Sequence, residues 1–225
     1  MTTRTGLTYY LSLTPMSQIH RKSHQVGDIV RVEVEKVAHG GHFIARHQGA
    51  VFFIRHAIPG EIVDIVITSI EKSFYRADVA AVVEASPDRI TPLCKYAKPG
   101  ACGGCDFQHI SGPRILALKS DVIAEQFSRI AKLEIECVVE EVSPPFRWRS
   151  RMAATTDAQG AAGFKAQSSH HVIPIDHCPV LLPEIDFDTL QQLDLAPDSR
   201  VEVSFSTSGE RTVTQTALRE SRQLQ

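Results

Sequence analysis

No apolar run among the 225 residues approaches the roughly 18 needed to cross a bilayer. The short apolar patch from Leu7 to Leu13 is interrupted by Thr and Ser and leads to no Ala-x-Ala-like cleavage motif. Neither a membrane span nor a secretory signal is expected, and the expected compartment is the cytoplasm. Strong positive charge is also missing. The net charge of −2 resolves into +3 over residues 1–24, −2 over 25–90, +2 over 91–151 and −5 over 152–225. A nucleic-acid partner must therefore be gripped by a local patch, not by overall charge. Cysteine is scarce and odd in number, and five thiols cannot all pair in a disulfide framework. In a reducing compartment, clustered thiols more often bind metal or do chemistry. No internal repeat and no low-complexity tract occurs, which excludes solenoid architectures.

An apolar share of 43% with 22% charged residues is enough for a globular core, in one large domain or two small ones. Residues 1–25 are polar without a sustained period and are expected to be a disordered extension, with Met1 or Met16 as the true start. From 26 to 86 the pattern is strand-like. Val30, Val32 and Val34 alternate with charged residues, His42–Arg46 and Ala50–Ile54 follow, and Ile62–Ile67 and Tyr75–Val83 complete the set. Five short strands joined by turns at Gly40-Gly41 and Pro59-Gly60 predict a small OB-like barrel. Pro87 to Pro92 marks a boundary, beyond which residues 87–216 form a second unit. It opens with a cysteine-rich loop from Cys94 to His109. A helix should start at Ser111-Gly112-Pro113, with Ser111 as N-cap, and run to Leu133. Strands are predicted at 135–142, 151–156, 162–166 and 172–175, a helix at 181–193, and a hairpin from 201–205 and 212–216. Residues 217–225 read as a polar tail. The expected fold class is mainly β with some α.

Cys102-Gly103-Gly104-Cys105 is the sharpest chemical feature. Two thiolates three positions apart, with only glycines between them, can turn onto one metal centre, and the glycine N–H groups can point at the sulfurs. Cys94 stands eight positions earlier. A fourth ligand could come from Cys137, in an apparent strand where a buried structural thiol is the plain expectation, or from Cys178 in His177-Cys178-Pro179, compatible with ligation. Zinc accepts the same four thiolates, but structural zinc sites commonly pair two knuckles, whereas one knuckle and two singletons stand here. A redox C-x-x-C pair would need no further cysteines. The histidines at 39, 42, 47, 56, 170 and 171 read as background for metal binding. Arg147-Trp148-Arg149-Ser150-Arg151 is the densest cationic run. Strand alternation would set the three arginines on one face, ready for phosphate, and Trp148 on the other in the core.

Three stretches taken together resemble the bacterial RNA uracil-C5 methyltransferases that carry an N-terminal TRAM domain and a 4Fe–4S cluster. They are the barrel with Gly40 to His47, Val51 to Ile54 and Ile58 to Glu61; the loop Cys94 … Cys102-Gly103-Gly104-Cys105-Asp106-Phe107-Gln108-His109; and Phe146 to Arg151 continuing through Gly163-Phe164 to His170 … His177-Cys178-Pro179. The resemblance implies a 4Fe–4S cluster on Cys94, Cys102, Cys105 and Cys178, with Cys137 left out. It implies RNA as partner, ribosomal RNA ahead of transfer RNA and no DNA, with contacts expected at Arg46, His47, Arg147, Arg149 and Arg151. In the family, a cysteine attacks the uracil ring and S-adenosylmethionine supplies the methyl group, in a C-terminal Rossmann-like domain. No Gly-rich strand–turn–helix unit is found in this sequence. The expectation is an α+β fold comprising an OB-like TRAM barrel, a cluster loop with one helix and a partial central β-domain, without the catalytic Rossmann-like domain and with no catalytic residue. Such a chain would not methylate by itself. The alternatives are a non-catalytic RNA-binding module stabilised by metal, or a small electron carrier.

Overall fold

The computed structural model describes residues 24–190 and 192–218. The extension expected over 1–25 lies outside these residues except for its last two positions, as does the tail beyond 218. Ala217, expected in that tail, ends a strand.

The first unit holds β1 (Ile29–Glu33), β2 (Lys36–Ala38), β3 (His42–His47), β4 (Ala50–Arg55), β5 (Ile62–Ile70) and β6 (Tyr75–Glu84). Their order in the sheet is β1-β5-β6-β4-β3-β2, with β4 and β6 parallel and every other pair antiparallel. The expected count of five is corrected to six, because the first expected strand bends at Val34-Glu35. Val34 N there donates to Glu61 O and Glu35 N to Ile44 O. The chain thus passes from one edge strand of the sheet to the other, which closes the sheet around its core. Period-two alternation sends Val30, Val32, Phe43, Ala45, Phe52, Ile54, Val63, Ile65 and Ile67 inward.

The expected boundary at 87–92 is not a free linker. Glu61 is completely buried, and its carboxylate accepts from Ile58 N (2.9 Å), Ser86 N (3.1 Å) and the Arg89 guanidinium (Nε and Nη2, both 2.6 Å). Arg89 also donates to His56 O at 2.8 Å. A buried carboxylate survives because each of its lone pairs is met. Further along, His109 packs against Phe43 and its Nε2 meets Ala57 O at 3.0 Å; burial pushes its pKa down to about 4, so the ring is neutral there.

Helix α1 spans Gly112–Gln126 and inserts Leu118 into the barrel core. Ser111 occupies the N-cap position, but its hydroxyl donates to Asp88 Oδ1 (2.8 Å) instead of capping the helix. The helix was expected to reach Leu133. It ends at Gln126 and widens into a π-turn over Phe127–Ala131, stopped by Lys132 at φ +57°. Ile130, expected on the packed face, is 72% exposed.

The second unit is a fully antiparallel sheet of β7 (Arg151–Thr156), β8 (Ala162–Lys165), β9 (Val172–Pro174), β10 (Ser199–Phe205) and β11 (Arg211–Ala217), in the order β11-β10-β7-β8-β9. Met152, Ala154, Val201 and Val203 bury one face of it against Ile175, Leu181, Ile185, Phe187 and Leu190. Two expectations fail here. Residues 132–148 contain no strand, with Val138 and Val142 almost fully exposed, so Cys137 is not mid-strand. The helix expected at 181–193 is two short 3-10 turns, Pro183–Ile185 and Phe187–Thr189, separated by Asp186 in extended conformation. Among the described residues no helix is long and apolar enough to cross a membrane.

Replacing Glu61 by alanine strands the Arg89 guanidinium and two buried amides. The expected loss is about 3–5 kcal/mol, read as a lower urea midpoint with unchanged slope; a shift below about 1 kcal/mol would contradict a welded boundary.

Candidate metal centre and nucleic-acid surface

A cavity of about 760 Å³ opens between the cysteine loop, helix α1 and the stretch around Cys178. Cys94, Cys102, Cys105 and Cys178 all stand on its wall, and all four are half-buried. The structure therefore brings together thiols up to 84 positions apart in the chain. Cys137 is not among the residues lining this cavity.

Hydrogen bonds to the backbone place three of the four thiols. Cys94 N donates to Gln108 Oε1 at 3.0 Å, and Cys94 O accepts from Ala97 N at 3.0 Å. Cys102 forms a β-bridge with Ala166, continued by Gly103 N donating to Lys165 O at 3.1 Å. A Cβ on Gly103 would lie 2.9 Å from Gln167 N, so only glycine lets the loop press onto the second sheet. Gly104 N donates to Cys102 Sγ at 3.4 Å. Cys178 N donates to Asp186 Oδ1 at 2.9 Å; the same oxygen accepts from Phe187 N at 2.8 Å, and the other carboxylate oxygen contacts His177 Nδ1.

Burial pushes the Cys102 and Cys105 thiols up and takes Cys178 to about 11. Cys94 adds to the rise in all three, and Cys105 adds to it in Cys102 and Cys178, so the sulfurs feel one another. Arg55 works the other way on Cys102, and Arg149 on Cys105. Arg55 is buried and bound to Asp106 at 2.5 Å, which ties the barrel to the cysteine loop. The opposing approach leaves no room for a side chain at Gly41, where a Cβ would meet Asp106 Oδ2 at 2.9 Å.

The donor set suits a soft, cationic centre. It is sulfur only, it receives a backbone N–H at Cys102, and its wall carries a buried amide, Gln108 Nε2, that has no partner at hydrogen-bond geometry. Among the described residues no three His, Cys, Asp or Glu side chains are drawn into a finished ligand cage; the thiols face a shared space without closing on one point.

The expected RNA contacts fall in two places. Arg46 and His47 lie on β3, with Arg46 exposed and ion-paired to Glu35. Arg147, Trp148 and Arg149 do not form the expected strand. Arg147 sits at φ +55°, and the three backbone N–H groups donate to Pro179 O and Val180 O beside Cys178. The arginines therefore do not share one strand face. Trp148, expected in the core, is 51% exposed, with the Arg149 guanidinium 5.8 Å from its ring centre. Arg149 and Arg151 line a second groove of about 590 Å³ with the hydroxyl-bearing Ser204, Thr212 and Thr214. Sequence reasoning missed Arg55 and Asp186. No spacing signals either one, because their partners are 51 and 8 positions away in irregular chain.

Asp186→Ala removes the acceptor that holds Cys178 N and Phe187 N. Stability should fall by about 1–3 kcal/mol, and Cys178 in metal-free protein should be alkylated several-fold faster by iodoacetamide. Unchanged alkylation would show that Asp186 does not hold this loop.

A model of the TRAM domain matches residues 24–80. Over 200 residues the chain is 38% identical to an uncharacterized RNA methyltransferase of Streptomyces avermitilis, a match covering 82% of this chain and 46% of that protein. It is 41% identical over 158 residues to the 23S rRNA (uracil(1939)-C(5))-methyltransferase RlmD of Shewanella amazonensis, covering 68% of this chain and 35% of that one. Among solved structures, a Pyrococcus abyssi tRNA (uracil-54, C5)-methyltransferase in complex with S-adenosyl-L-homocysteine shares the fold over 82% of this chain and 45% of its own, with a TM-score of 0.54 and 20% identity. The chain spans about half the length, or less, of these curated relatives. The expected fold class, framed by an absent catalytic domain, is corrected by these matches, since most of the chain follows the architecture of a methyltransferase. With its TRAM domain and this shared sequence, the chain belongs to the TRAM-domain RNA methyltransferase family.

Proposed function

We propose that this chain binds RNA and holds a 4Fe–4S cluster on Cys94, Cys102, Cys105 and Cys178, within an S-adenosylmethionine-dependent RNA uridine-C5 methyltransferase acting on ribosomal RNA. The observation that carries the cluster is the single cavity on which four distant thiols stand. Two units contribute, the barrel over 26–86 and the cluster and β-domain over 87–216. When bound, the cluster would supply a crosslink within the second unit, between the cysteine loop and the stretch around Cys178, and a one-electron couple. The chain's own residues do the rest. Gly104 N directs its N–H at the Cys102 sulfur, favouring its thiolate form. Asp186 holds the Cys178 loop in place.

RNA binding rests on the barrel and the groove beside the cavity. Arg149 and Arg151, with the hydroxyls of Ser204, Thr212 and Thr214, match the chemistry of a phosphate backbone. Exposed Trp148 offers a stacking face for a base, Arg147 adds an exposed cation, and Arg46 and His47 extend the surface along β3. Ribosomal RNA and the methyl donor come to this reading from the relatives named above, and both are properties of a whole enzyme. The reduced thiols suit the cytoplasm.

Reconstituted without oxygen, the chain should carry about four irons and four sulfides and be brown. Serine at any of Cys94, Cys102, Cys105 or Cys178 should abolish the colour, while Cys137→Ser should keep it. A colourless protein holding one zinc, or colour lost with Cys137 and kept without Cys178, would sink the ligand set. On a 23S ribosomal RNA fragment, Arg149→Ala and Arg151→Ala should each weaken binding and flatten the log-affinity against log-salt slope by about 1. An unchanged slope would remove them from the RNA path.

A further inference from the structure

We infer that Gln108 is a positioning residue of the cluster, its side-chain amide donating a hydrogen bond to the Cys105 sulfur while its oxygen anchors the Cys94 backbone. This rests on the ligand set proposed above.

The orientation of the amide is decided by chemistry. Cys94 N is a donor and lies 3.0 Å from one end of the Gln108 amide, so that end must be the oxygen. The NH₂ group is then turned the other way. It is completely buried, faces the cavity wall and has no acceptor at hydrogen-bond geometry among the protein atoms. An orphaned buried amide is costly, and native interiors rarely leave one unmet. Cys105, three positions earlier, stands on the same cavity wall. Burial raises that thiol, and the Gln108 side chain is the strongest influence opposing the rise. A neutral thiol is a weak acceptor, whereas a thiolate bound to iron is a strong one. Loading a cluster therefore converts an unmet donor into a charge-assisted bond. One side chain then ties together two ligands eleven positions apart, Cys94 through its backbone and Cys105 through its sulfur.

Hydrogen bonds to cluster sulfurs raise the reduction potential, and outer partners of metal ligands typically govern retention by about 10-fold or more. Two variants separate the two ends of the amide. Gln108→Met removes both; it should load less iron, lose visible absorption in air about 10-fold faster and have a more negative potential. Gln108→Glu keeps the acceptor for Cys94 N and removes the donor; it should load iron like the wild type, again at a more negative potential. If the wild type loads no iron, the ligand set itself falls and Gln108 falls with it. If the wild type loads iron and Gln108→Glu keeps the wild-type potential, the ligand set stands and the Gln108 inference is overturned. The same holds if Gln108→Met loads and holds iron as the wild type does.

Discussion

The crowding of four half-buried thiols around one cavity is the constraint on which the rest of this molecule turns. A thiol becomes a thiolate only when something repays the loss of water, and here desolvation and neighbouring sulfurs both oppose ionisation. Two nearby guanidiniums, Arg55 and Arg149, offset only part of this. A positively charged centre bound among these sulfurs would outweigh both the desolvation and the sulfur–sulfur repulsion. The arrangement that gathers the four thiols also makes Cys102, Cys105 and Cys178 poor nucleophiles.

Such a set is useful only if its two halves are held at a fixed separation. Three devices do this. The Glu61–Arg89 pair fastens the chain leaving the barrel to the barrel's own turn at Ile58. Arg55 and Asp106 clasp the cysteine loop to strand β4 beside Gly41. On the far side, Gly103 lets the same loop bond to the end of β8, and Asp186 holds Cys178. The loop from Cys94 to His109 is thus the shared wall of barrel and second sheet, and the arginines at 147–151 reach solvent beside it. The cavity and the groove meet at Arg149, which lines both.

How legible this was in the sequence depends on the range of the interaction. Alternating Val30, Val32, Phe43, Ala45 and Ile65 announced strands because a strand's two faces are encoded locally. The bend at Val34-Glu35 was hidden, since its bonds go to Glu61 and Ile44. Residues 135–142 have the composition of a strand, yet no neighbouring strand pairs with them, and β-propensity without a partner yields no strand. Arg147 to Arg151 were expected to alternate in a strand, but the backbone there bonds to Pro179 and Val180, which turned Trp148 outward. That Cys94, Cys102, Cys105 and Cys178 would share one wall was expected from the family resemblance, since the residues alone left Cys137 and Cys178 as rivals for the fourth place. The supports of that wall, Arg55 and Asp186, were not legible, because ordinary charged residues carry no mark of the distant atoms they meet.

Iron K-edge X-ray absorption of the anaerobically reconstituted chain tests the central claim most directly. The account predicts a first shell made only of sulfur, with iron–iron scattering from a polynuclear centre. Oxygen or nitrogen in that shell, or iron without iron neighbours, would contradict four cysteines sharing one cluster.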